Sequence, residues 1–144
     1  MSQNPKQDDP LTKQVIGEAM YVHRVLGSGF AESIYHNALL LRLRKIGLLV
    51  ESQKPLLVHF EDEVIGNFMA DLIVENRLIL ELRAVSALTS AHEVQLVNYL
   101  TATKIDLGLL INFGTTSLEF KRKHRTKPAA LLLQEATLIP SPSC

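Results

Sequence analysis

The chain has 144 residues, 47% of them hydrophobic, and its 15 basic and 15 acidic residues balance to a formal net charge of zero. That length suits one domain with a sizeable core. The zero balance excludes a global field that would draw in nucleic acid, so attraction must come from local patches.

A single cysteine, Cys144, excludes an internal disulfide and makes a reduced, cytoplasmic setting the expectation. The polar start "MSQNPKQDDP" has no apolar stretch of the signal-peptide kind. No apolar run reaches the roughly 18–20 residues that span a bilayer, so no membrane partner is expected. Residues 1–9 read as a disordered segment, 10–125 as the domain, and 126–144 as a tail. In that tail "AALLL" suggests a weakly held helix before a frayed end.

Asp9 and Pro10 make an N-cap and first helical position. Leu11, Val15, Ala19, Val22 and Leu26 then recur at helical spacing up to Gly27. After "GSG" a second helix is expected from about Phe30 to Ile46. Ile34, Ala38, Leu39, Leu41, Leu43 and Ile46 place apolar residues around much of its circumference, which predicts deep burial. The period then changes. "LLVESQKPLLVHF" reads as a strand with an irregularity near Pro55, "EDE" as a turn and "VIGNFMADLIV" as a second strand; "ENR" turns into a third, "LILELRAV". Ser90 and Glu93 form a capping box for a third helix that ends near Thr103. "DLGLLINF" is a continuous apolar run, as in a strand buried on both faces, and "SLEFKRK" adds a possible edge strand. The order α-α-β-β-β-α-β gives a meander followed by a helical crossover.

With Glu75, Asn76 and Arg77 as the turn, antiparallel pairing sets Val74 opposite Leu78, Leu72 opposite Leu80 and Asp71 opposite Glu81. Opposed residues have Cβ atoms about 4.5–5.5 Å apart. Two carboxylates that close repel unless a cation intervenes. Two readings fit: a Mg²⁺ or Mn²⁺ ion with oxygen ligands and retained waters, or an ion-pair network in which Arg83 neutralises part of the charge.

"GFAESIY" is Gly29-x-x-Glu32-x-x-Tyr35. With "VHRVLGSGF", "MADLIV", "LELRAV", "LTSAHEVQLVNYL" and "GLLINFG", it resembles the GxxExxY proteins of the PD-(D/E)XK nuclease superfamily over about residues 12 to 122. The resemblance implies an α/β fold with a restriction-endonuclease-like αβββαβ core, a mixed sheet flanked by helices. It also implies a Mg²⁺- or Mn²⁺-dependent nuclease with DNA or RNA as partner. By position, Asp71 and Glu81 correspond to the metal-binding acids, the Leu82 carbonyl to a third ligand, and Glu32 to the helical acid that completes the site. Gln95 and Tyr99 resemble a Q-x-x-x-Y element that holds a lysine, phosphate or water.

Each assignment has a plainer reading beside it. Glu32 is also a favourable acid at a helix N-terminus, within a turn of His36. Gln95 and Tyr99 are also a polar helix edge with the ring on the sheet. His23 reads as a satisfied, half-buried side chain, and His92 as a phosphate contact or a first-turn surface residue.

The chain departs from the motif at Arg83, where the resemblance implies lysine. Arginine keeps the charge, but with a pKa above about 12 it cannot act as a base. A non-catalytic nucleic-acid or protein-binding module is therefore the alternative. "KRKHRTK" places Lys121, Arg122, Lys123 and Arg125 in one basic run, either a set of phosphate contacts or a solvated edge. A homodimer is a further expectation with no surface identified.

Overall fold

The computed structural model describes residues 9–125. The expected disordered segment before Asp9 and the expected C-terminal tail from Thr126 lie outside the described residues. Among the described residues, no helix is long and apolar enough to cross a membrane.

Asp9 opens α1 (Pro10–Leu26), its carboxylate accepting from the Thr12 backbone N–H and hydroxyl at 2.9 Å each. Gly27, at φ 79°, ends the helix in a conformation that glycine adopts without strain. The second helix, α2 (Glu32–Lys45), starts two residues later than expected. The Phe30 N–H does not serve the helix; it donates to the Tyr35 hydroxyl at 3.1 Å, and that hydroxyl donates to the Gly27 carbonyl. The Tyr35 ring is fully buried and stacked on Phe113, with centroids 4.6 Å apart. Tyr35 therefore pins the α1–α2 connector from inside the core. Tyr35→Phe keeps the ring but strands the Phe30 N–H and the Gly27 carbonyl. Chemical denaturation should record a loss of about 1–3 kcal/mol. A loss below a few tenths would mean that water replaces the hydroxyl.

The expected deep burial of α2 is corrected: Tyr35, His36, Leu39 and Leu43 are buried, whereas Ile34 and Leu41 are exposed. A helix laid on one face of a sheet buries one stripe, and its outer residues meet solvent whatever their type.

Next come β1 (Val50–Phe60), β2 (Glu63–Val74), β3 (Leu78–Arg83), α3 (Ser90–Thr103), β4 (Leu107–Asn112) and β5 (Glu119–His124). The strands form one sheet in the order β1-β2-β3-β4-β5. Only β3 and β4 are parallel, joined through α3; every other neighbouring pair is antiparallel. The expected irregularity near Pro55 falls on either side of it: Pro55 is in register with Met69, and the breaks are at Gln53 and between Val58 and His59. Because β1 is an edge strand, the missing N–H of Pro55 turns outward and costs no ladder bond. The "EDE" turn is Glu61–Asp62, both at positive φ (50° and 66°), and Glu63 already belongs to β2.

The expected capping box also shifts by one residue. Thr89, extended at φ −115°, is the N-cap of α3 and exchanges hydrogen bonds with His92. Glu93 instead forms an ion pair with Lys123 of β5.

The sheet is covered on both faces. Leu78, Leu80 and Leu82 pack with α1 and α2 in the larger core. Ile79 and Leu110 pack with Leu96 and Leu100 of α3 on the other face. Residues alternate along a strand, so Glu81 and Arg83 fall on the α3 face with Ile79. The β1–β2 hairpin runs past the end of β3 as a two-stranded ribbon, on which Leu57, Phe60, Val64, Ile65 and Met69 are each more than half exposed.

Candidate active site

Beside Asp71 the sheet pairing breaks. The β2–β3 pairing follows the expected register through Val74–Leu78, Ile73–Ile79 and Leu72–Leu80. The β1–β2 ladder passes from Ser52–Leu72 to Lys54–Ala70, skipping Gln53 and Asp71. Gln53 takes φ 51° there, an uncommon conformation for a residue with a side chain. Side chains replace the missing ladder bonds of Asp71. Its N–H donates to Glu81 Oε2 at 3.2 Å. Its carbonyl lies 3.2 Å from His36 Nε2. Its carboxylate Oδ2 accepts the Leu82 N–H at 2.7 Å.

Arg83 spans the two acids. Its Nη1 is 3.6 Å from Asp71 Oδ2 and its Nη2 is 3.6 Å from Glu81 Oε1. Nη1 also donates to the Leu82 carbonyl at 2.8 Å, so that carbonyl already has a partner. Nη2 reaches Gln95 Oε1 at 3.5 Å, and Gln95 Nε2 donates to the Tyr99 hydroxyl at 2.7 Å. The Tyr99 ring stacks on Phe68 with centroids 3.6 Å apart. Gln95 and Tyr99 thus reach the acids through Arg83.

The charges are unevenly compensated. Glu81 is 4% exposed, and burial, followed by the neighbouring Asp71 charge, pushes its carboxyl up to about 7. Glu32 is raised by the same causes in the same order, more weakly because it opens to solvent. Burial and then the Glu81 charge raise the Tyr99 hydroxyl.

A cavity of about 220 Å³ lies beside Asp71, lined by Glu32, Ser33, His36 and Asn37 of α2, Ser52 and Gln53 of β1, and Leu82. The expected site is therefore divided. Glu32, Asp71 and Leu82 border this cavity, while Glu81, Arg83, Gln95 and Tyr99 lie towards α3. Glu32 acts on the acids through its field. Among the described residues, no group of three or more His, Cys, Asp or Glu side chains is placed to hold a metal ion. Asp71 and Glu81 would have to be supplemented by waters or a carbonyl, an arrangement that suits Mg²⁺.

Lys121, Arg122 and Lys123 fall on β5, two strands from Glu81, and Arg125 follows the strand. Lys123 pairs with Glu93, Arg125 pairs with Asp106 at 2.9 Å, and Arg122 lies over Phe120. Lys121 and Arg122 are exposed, whereas Lys123 and Arg125 are engaged within the fold. His23 is buried with Nε2 2.9 Å from the Thr115 carbonyl, which fits the satisfied reading. His92 serves the α3 cap.

Ser52, Gln53 and Asn112, at or beside the site, carried no signal in the sequence, and His36 was read only as a neighbour of Glu32. Asn112 is fully buried. It accepts from the Val85 and Gly114 N–H groups at 2.9 and 3.0 Å and donates to the Val85 carbonyl and Glu119, each at 3.0 Å. It thereby fastens the segment that leaves β3 after Arg83. Apolar periodicity could not single out these residues; the resemblance through "GFAESIY" implied only that Glu32 of α2 faces the acids.

A family model for the PD-(D/E)XK nuclease superfamily matches residues 9–123. The chain belongs to this superfamily, whose nucleases act on nucleic acid and usually use divalent metals. The fold is similar to that in the crystal structure of SSO0001, with a TM-score of 0.53 and 20% identity, over 92% of this chain and 71% of that one. Comparison with curated proteins gives no match.

Proposed function

We propose that the chain is a GxxExxY-type nuclease that hydrolyses phosphodiester bonds in DNA or RNA with Mg²⁺ or Mn²⁺. The observation that supports this most is the Asp71–Glu81 pair, hydrogen-bonded across the break in the sheet, with Glu81 pushed up to about 7 by burial and then by the Asp71 charge. The donors are hard oxygens, as Mg²⁺ and Mn²⁺ prefer. Asp71 and Glu81 would hold the ion, and the Leu82 carbonyl would join them once released from Arg83. Bound there, the ion would polarise a phosphoryl oxygen and acidify a water.

The chain's own groups supply the rest. Arg83 offers fixed donors to the charge that builds on the phosphoryl oxygens. Gln95 orients Arg83 and is itself held by Tyr99. Glu32, bordering the cavity with a raised pKa, is placed to take a proton from water there. Lys121 and Arg122 supply a modest phosphate contact.

One observation favours the second reading, a binding module without catalysis: Arg83 already stands 3.6 Å from both acids and donates to the Leu82 carbonyl. A Mn²⁺ titration by calorimetry, followed by a nuclease assay at neutral pH, separates the two. An active enzyme gives heat and cleavage, a locked pair neither.

Arg83→Lys sharpens the test. A compact ammonium contacts one partner at a time and frees a carboxylate. Mn²⁺-dependent cleavage should rise about tenfold, equivalent to ~1.4 kcal/mol of barrier. A binding module would stay at background. A fall in cleavage with metal binding intact would show that arginine is the working residue.

A further inference from the structure

The carbonyl of Asp71 is the unusual group in the site. A carbonyl in the middle of a sheet normally accepts from the next strand, but here neither ladder includes Asp71. The group facing it is His36, which is 9% exposed and reaches across from α2. A carbonyl oxygen only accepts, so the 3.2 Å contact places the proton on His36 Nε2. Ser52 Oγ lies 3.3 Å from the same nitrogen. The Nε2 edge of the ring therefore faces both the Asp71 carbonyl and the Ser52 hydroxyl. The Asp71 backbone is suspended between His36 on one side and Glu81 on the other, while its carboxylate reaches the Leu82 N–H at 2.7 Å.

We propose that His36 is a positioning residue that takes the place of a neighbouring strand, fixing the Asp71 backbone so that its carboxylate is aimed at the site. The assignment rests on the reading of Asp71 as a metal ligand. Groups that orient a ligand from outside the coordination sphere typically change metal affinity by about 10–100-fold when removed. His36 touches the ligand through its main chain, so its loss should loosen the whole residue.

The test compares wild type, His36→Ala and His36→Gln with two readouts. One is Mn²⁺ affinity by calorimetry. The other needs no metal: hydrogen exchange of the Leu82 amide, which Asp71 Oδ2 accepts, measured against the Leu80 amide as an internal reference. His36→Ala should lose about tenfold or more in Mn²⁺ affinity and speed Leu82 exchange selectively. The glutamine amide reaches a position close to that of imidazole Nε2 and still donates, so His36→Gln should largely restore both. Leu82 exchange that is unchanged in His36→Ala overturns the proposal, whatever the metal result. Failure of glutamine to restore it also overturns the proposal, because packing of the ring would then be the cause. If wild type takes up no Mn²⁺, the nuclease reading fails, and Leu82 exchange still decides the role of His36.

Discussion

Glu81→Gln is expected to make the protein more stable at pH 8 and to abolish its Mn²⁺ heat. The amide keeps an oxygen to accept the Asp71 N–H, now at 3.2 Å from Glu81 Oε2, and removes a charge that burial disfavours. The wild-type carboxyl holds its proton up to about 7 in the fold, whereas an ordinary glutamate releases it near 4.3. Between those values the folded state binds more protons than the unfolded state, so stability falls as pH rises and levels off above about 7. The full effect is on the order of 3 kcal/mol. Glu81→Gln should flatten that slope and recover roughly 1–3 kcal/mol at pH 8. Metal uptake carries the opposite sign: the ion needs the ionised carboxylate, so wild-type affinity should fall as pH drops below about 7. Urea unfolding from pH 5 to 8 with parallel calorimetry checks both. A variant less stable than wild type at pH 8, or one with undiminished Mn²⁺ heat, would remove Glu81 from the site.

Gly114→Ala should be the most damaging small substitution. A methyl group there would lie 2.5 Å from the Val85 nitrogen and 2.7 Å from the Ala84 carbonyl carbon, and it would also crowd the Val85 oxygen. These are backbone atoms that Asn112 holds through both the N–H and the carbonyl of Val85, so they cannot yield without breaking that anchor. The expected loss is about 3 kcal/mol or more, with Tm falling by roughly 10 °C. Arg83 lies two residues before Val85, so metal-dependent functions should suffer beyond the loss of stability. Gly17→Ala is the control: the α1 position has nothing within 4 Å, and a helix gains about 0.5–1 kcal/mol there. Equal Tm values for the two variants would refute the close approach.

The register of β2 on β3 could be read from the turn alone, because "ENR" is short and the apolar residues on either side fix which faces are buried. That reading brought Asp71, Glu81 and Arg83 together. An irregularity near Pro55 was legible, but its place at Gln53, beside Asp71, was not. Nothing in "ESQKP" signals that Gln53 takes positive φ, since glycine or asparagine usually marks such a position. His36 escaped for a related reason: its partner is a main-chain carbonyl, and main-chain groups leave no trace in residue identity. The α3 cap slipped by one because Thr89 and Ser90 are both good caps, and the choice between them rests on whether Glu93 serves the cap or Lys123.

The outward-facing nitrogen of Pro55 matters for how the molecule behaves in a crowded solution. The β1–β2 ribbon combines a border that is unpaired among the described residues with bare apolar side chains, the combination that lets one chain zip onto another and grow into a fibre. A ring in place of a donor near the middle of that border interrupts the row of main-chain contacts an incoming strand would need. The irregularity between Val58 and His59 turns the remaining stretch out of line. The acids Glu61, Asp62 and Glu63 at the tip add like-charge repulsion between copies. A ribbon that exposes Leu57, Phe60 and Ile65 is thus kept from seeding aggregates by a few residues of its own sequence.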